Sequence, residues 1–222
     1  MKTVNNSYLR RIEFLIIEKL KRWVPSFIGT KMLTYLSLIC SLLMLGCYMM
    51  AAENRLFLML ASLFIMGEWI FDCLDGAIGR DRKEGYVRWG YYMDHLFDYL
   101  FAAFICLGFY LYHPQPVLEL FFFTILASAH MVSAFLFHDA LGGKEGLLVT
   151  FLKFSPIEFR LSVILFNTAL FVFPYFADII FIHVIRTANI LMAAALIIIL
   201  HINQKRLSRL DESERGEEKG ES

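Results

Sequence analysis

The sequence has little of what marks most soluble classes. It has no net charge, 21 Lys and Arg standing against 21 Asp and Glu, so no basic excess argues for a nucleic-acid partner, and none is expected. Its four cysteines, Cys40, Cys47, Cys73 and Cys106, all fall in apolar stretches and form no Cys-x-x-Cys pair. That argues against disulfides and a thiolate metal site, and for buried small side chains. No internal repeat and no low-complexity tract is present. A clean apolar signal segment is missing too: residues 8–23 interleave Arg10, Arg11, Lys19, Lys21 and Arg22 with Leu9, Ile12, Leu15, Ile16 and Leu20. That mixture reads as an amphipathic helix lying in the membrane interface, ended by Pro25 and Gly29.

What is abundant is apolar surface. Hydrophobic residues make up 58% of the chain, 22 of them Phe, above the roughly 45–50% of ordinary soluble domains. Helices rising 1.5 Å per residue need about 20 apolar residues to span hydrocarbon. Six runs approach that length: 33–52, 56–74, 91–112, 117–141, 159–176 and 188–202. The expectation is an all-α integral membrane protein, a six-transmembrane-helix bundle preceded by an interfacial helix. Residues 1–30 would form the interfacial segment, 31–203 the membrane domain and 204–222 a disordered tail. Pro174-Tyr-Phe-Ala-Asp178 is the one turn signal between the last two runs, and Gly142, Gly143 and Gly146 mark a loop before the fifth. With six spans both termini share one side. If that side is cytoplasmic it collects 19 of the 21 Lys and Arg, leaving only Arg55 and Arg186 outside, as the positive-inside rule requires.

Against this background four aspartates stand out. Asp72 and Asp75 are three apart, followed by Gly76, Gly79 and Arg80; Asp94 and Asp98 are four apart, with Gly90 one turn earlier. These are helical spacings. A short connection can fold the second helix back and bring both carboxylate pairs to one end of the bundle. A carboxylate in the membrane costs roughly 2.5–3.5 kcal/mol on insertion scales, and Arg80 alone cannot balance four. One or two divalent cations could, because Mg²⁺ and Mn²⁺ favour carboxylate oxygens and Mg²⁺ is commonly shared between carboxylates and substrate phosphates. A metal pair also suits phosphoryl displacement. Glycines at 76 and 79 let a bulky ligand approach the helix backbone.

The pattern Asp-x-x-Asp-Gly-x-x-Ala-Arg, then about eight residues, then Gly-x-x-x-Asp-x-x-x-Asp, resembles the signature of the CDP-alcohol phosphotransferases. Here it reads Asp72, Asp75, Gly76, Arg80, Gly90, Asp94, Asp98, with seven of eight fixed positions matched. Gly79 stands where Ala is usual, and nine residues, 81–89, separate Arg80 from Gly90, one more than usual. Weaker likenesses are Pro156-Ile-Glu158 to the Pro-Thr-Glu segment of some members, His95 after the third Asp as in the choline/ethanolamine type, and residues 23–34 to the opening of the first helix.

The resemblance implies transfer of a substituted phosphate from a CDP-alcohol, commonly CDP-diacylglycerol, to an acceptor hydroxyl with release of CMP, in phospholipid biosynthesis. By the same resemblance Asp72, Asp75, Asp94 and Asp98 hold two Mg²⁺ or Mn²⁺ ions, Gly76, Gly79, Arg80 and Gly90 line the CDP-alcohol site, and Asp98 takes the acceptor's proton. Members of the family often pair, which leaves a homodimer open. Lys153 and Arg160 are candidates for reading an acceptor phosphate or lipid head group at the membrane surface, beside the plainer reading of positive-inside anchoring. Glu68, one turn before Asp72, either joins the same cavity or bonds between helices. His130, His138 and Asp139 show no ligand spacing to the aspartates. A divalent-cation transporter or channel is the alternative class; the absence of a midplane acidic group and of an inverted repeat argues against it.

Overall fold

A computed structural model describes residues 9–115, 117–141 and 156–220; Lys153 lies outside them. Among the described residues there is no strand. The helices are α1 (Arg10–Leu20), α2 (Thr30–Ala51), α3 (Leu56–Asp81), α4 (Val87–Tyr112), α5 (Val117–Ala140), α6 (Pro156–Val172) and α7 (Ala177–Gly220), with 3₁₀ turns at Lys21–Trp23 and Pro174–Phe176.

The helical membrane bundle expected from the apolar runs is what forms. Among the described residues five helices, α2 to α5 and α7, are long and apolar enough to cross a membrane. The fifth expected span is α6, described from Pro156, where proline's fixed φ suits a first helical turn; its 17 described residues lie at the short end of the spanning range. The Pro174 turn separates it from α7, which starts at Ala177, well before the expected 188. The segment from 204, expected to be disordered, is instead helical through Gly220. Its Glu, Lys and Arg are good helix formers, and Ser208 Oγ donates to Glu212 one turn on, at 3.2 Å.

Side chains sort as they would in lipid. Leu165, Ile190, Leu191 and Ile197 are each more than 60% exposed, an arrangement water would penalise and hydrocarbon does not. Inside, Met44 and Tyr48 of α2, Leu58 and Ile65 of α3, Ile105 and Phe109 of α4, Leu170 of α6 and Phe181 of α7 form one core. A polar group buried here must find a partner within the protein. Tyr48 donates to Asn167 Oδ1 at 3.0 Å, and Asn167 Nδ2 donates to Ser62 Oγ at 3.1 Å, joining α2, α6 and α3.

α2 is the spine, packed against both α3 and α4, while α6 leans on α3 and α5 bridges α4 and α7. α1 lies across the end of α3, burying Ile17 against Leu33, Leu74 and Ile78. Ile12, Phe14 and Leu15 stay exposed, as suits an interfacial helix. Lys21 fastens its far end through Glu18 at 2.8 Å and Asp81 at 3.1 Å. Hydrogen bonds to Glu18 and then to Asp81 hold the Lys21 ammonium above its ordinary pKa.

The α2–α4 crossing depends on Gly108, where a Cβ would run into the Tyr48 ring. That ring is fully buried and packs edge-on against Phe109 at 5.4 Å. Gly108→Ala is therefore expected to destabilise the bundle by about 1–3 kcal/mol, the range for overpacking, measured as a lowered unfolding midpoint in detergent.

Candidate active site

The site begins with the end of α3. Arg82 caps the helix, and Lys83 takes the left-handed conformation (φ 54°) that reverses the chain. The Glu84 N–H then reaches back to the Gly79 carbonyl at 3.2 Å. This is a Schellman closure with lysine where glycine is usual, followed by Gly85 at φ 79°. This loop lies within the nine residues that separate Arg80 from Gly90. Arg82 of this loop braces the entry to α2, donating to the carbonyls of Val24, Pro25, Ser26 and Ile28, the shortest at 2.7 Å. Glu84 Oε2 accepts the Thr30 N–H at 2.9 Å, capping the exposed amides that open α2.

Between α3 and α4 lies a cleft of about 820 Å³, closed on one side by α1. Asp72, Asp75, Gly76, Gly79 and Arg80 of α3 line it, as do Gly90 and Asp94 of α4 and Lys83 of the loop. Glu13 and Ile17 line it from α1, and Glu13 Oε1 accepts the Cys73 thiol at 3.2 Å. All four cysteines are free, three of them buried. Arg80 folds back over Gly76, where a Cβ would lie 3.1 Å from its Nη1; around Gly90 the space is open.

The carboxylates divide. Oxygens of Glu68, Asp72 and Asp98 lie within 4.8 Å of one another, and so do donor atoms of Asp94, His95 and Asp98. Asp98 is common to both groups and sits one turn deeper than Asp94. Asp75 turns aside to α2, where the Thr34 hydroxyl donates to its Oδ2 at 2.6 Å and Thr30 Oγ1 donates to its carbonyl at 3.3 Å.

Arg160 is not at the surface. It is 4% exposed. Its Nε donates to Glu68 Oε2 at 2.7 Å and its Nη2 to Glu68 Oε1 at 2.8 Å, while Nη2 also reaches Asp72 at 3.1 Å and Asp98 at 3.3 Å. The cation lies at the floor of the cluster and not at the membrane surface where it was expected. Glu68, Asp72, Asp75, Asp94 and Asp98 outnumber Arg160, the cation described among them, and a divalent cation would offset the excess. The donors are hard oxygens, the ligands Mg²⁺ and Mn²⁺ prefer, so the residues fit such ions.

Of the remaining polar residues, His95 Nδ1 lies 3.3 Å from Asp94 Oδ2. The Tyr91 hydroxyl pairs with His138 Nδ1 at 3.2 Å. His130 bonds to its own helix at Leu126. The sequence patterns give no role to Arg82 or Glu84, whose partners lie 54 to 58 residues away.

Gly79 faces Thr30 closely: a Cβ would lie 2.8 Å from Thr30 Oγ1, which explains why the usual Ala is not used here. Gly79→Ala is expected to lower stability by about 1–3 kcal/mol, and the added Thr30→Ala to recover most of it. Thermal unfolding of the two variants checks this.

No curated protein and no solved structure matches the chain. A family model does, over residues 27–200, which spans every carboxylate of the cluster and the bundle that holds them. With its motif residues gathered about one cleft in a helical membrane bundle, the chain belongs to the CDP-alcohol phosphatidyltransferase family.

Proposed function

We propose that the protein transfers the substituted phosphate of a CDP-alcohol, with CDP-diacylglycerol the favoured donor, to an acceptor hydroxyl, releasing CMP. The family implies phosphate transfer from a CDP-alcohol in phospholipid synthesis. The observation that carries the finer reading is the shared cleft, where carboxylates from two helices face Gly76, Gly79 and Arg80. Its wall from α1 includes Phe14 and Ile17, apolar surface suited to a lipid-bearing donor.

In this reading Arg80 offers its planar fork to the diphosphate, with Lys83 beside it at the mouth. Gly90, with open space beside it, leaves room for the nucleotide, and Gly76 and Gly79 line the same cleft. Asp72, Asp75, Asp94 and Asp98 would hold two divalent ions, which when bound polarise the phosphate under attack and offset charge on the departing CMP. Asp98 accepts the acceptor's hydroxyl proton as the oxygen bonds to phosphorus and the bond to CMP breaks. Thr34 holds Oδ2 of Asp75 toward α2, which leaves its other carboxylate oxygen for an ion. The excess of Lys and Arg on one side supports a cytoplasmic cleft and cytoplasmic termini in a multi-pass protein.

Purified protein given Mg²⁺ or Mn²⁺ and CDP-diacylglycerol is expected to release CMP with at least one of a panel of hydroxyl acceptors, and to stop when the metal is chelated. No CMP from any acceptor would overturn the proposal. Asp98→Asn is expected to lower kcat by about 10²–10⁴-fold, the usual contribution of a general base; full activity in that variant would remove Asp98 from the role.

A further inference from the structure

We infer that Arg160 is a positioning residue for the proposed transfer: held by Glu68, its guanidinium fixes Asp72 on α3 and Asp98 on α4 in one arrangement across the cleft. The inference rests on the reaction proposed above. It concerns a residue outside the aspartate motif, on a third helix.

The geometry is that of a clamp. Glu68 and Arg160 meet fork to fork at 2.7 and 2.8 Å, and both side chains are 4% exposed. Bidentate pairing leaves a guanidinium little rotational freedom. The Phe101 ring, 5.0 Å from its central carbon, adds a cation–π contact that restricts its plane further. So constrained, Nη2 presents its remaining donor capacity to Asp72 Oδ2 and Asp98 Oδ1, one carboxylate from each motif helix. α3 and α4 lean on α2 and face each other across the cleft. Arg160 supplies a direct polar link between them, and it uses one oxygen of each aspartate.

A reader of acceptor phosphate would have to turn this fork outward, leaving Glu68 buried without a partner. A purely structural pair would already be complete as Glu68 with Arg160, since a buried ion pair is commonly no more stable than apolar residues of similar volume. The contacts to Asp72 and Asp98 are what such a pair would not need.

The full chain in detergent micelles would be compared as wild type, as the double variant Glu68→Leu with Arg160→Met, and as Arg160→Lys. The double variant removes both charges together and avoids stranding either one; Arg160→Lys keeps the charge and loses the fork. Mn²⁺ binding would be followed by electron paramagnetic resonance, and turnover by CMP release. Both variants are expected to bind Mn²⁺ about 10–100-fold more weakly, the range for losing a residue that orients metal ligands. Their kcat is expected to fall by a similar factor, while KM for donor and acceptor stays within about three-fold. Mn²⁺ affinity and turnover close to wild type in the double variant would overturn the inference and leave the pair a structural one. Near-wild-type values in Arg160→Lys would overturn it by showing that charge alone suffices. A raised KM for acceptor with unchanged kcat and Mn²⁺ affinity would make Arg160 an acceptor-binding residue instead. If the wild type released no CMP, the proposed reaction would fail, and the Mn²⁺ titration would still decide the clamp.

Discussion

Charge carried into hydrocarbon must be met by opposite charge within a few ångströms, because the solvent there cannot meet it. The centre of this protein is arranged around that requirement. Asp72, Asp75 and Asp94 line the cleft, Glu68 and Asp98 lie against them, and the buried cation described among these acids comes from α6, where Arg160 touches Glu68, Asp72 and Asp98. Without that cation the helices would hold like charges facing one another across a gap. With it, α6 has a reason to lie against α3, and the acids still in excess suit a divalent ion.

The polar contacts fall into two tiers. Deep in the bundle Tyr48, Asn167 and Ser62 bond to one another and carry no formal charge; hydroxyl and amide groups can be satisfied there at modest cost. Charged groups gather one end closer to water, at Glu68 through Asp98. The bundle is thus neutral where the apolar environment is most demanding and charged where ligand and solvent can enter.

Much of this was legible in the sequence. The apolar runs located α2 to α5 within a few residues at most of their ends, because lipid demands long uninterrupted helices, and the aspartate spacings located the cleft. What could not be read was partnership over distance. Arg160 looked like an end-of-helix residue near a basic loop; its burial follows from Glu68, 92 residues away. A signal did exist, since Glu68 stands one helical turn before Asp72 and so on the same face, and a fifth acid there calls for a cation from elsewhere. α6 was placed in part because its start adjoins a loop, and the helical tail was missed because composition alone does not distinguish a charged helix from a charged coil.

The loop that closes α3 has a further consequence. Arg82 gathers the carbonyls of 24–28 and Glu84 holds the first amide of α2, so the stretch that sets the bearing of α1 is tied to the turn that leads from Arg80 to Gly90. The lengthened turn and the covering helix are in that sense one mechanical part. A change in loop length on this side would be felt first in how α1 sits over the opening, and only through it by whatever lies beneath.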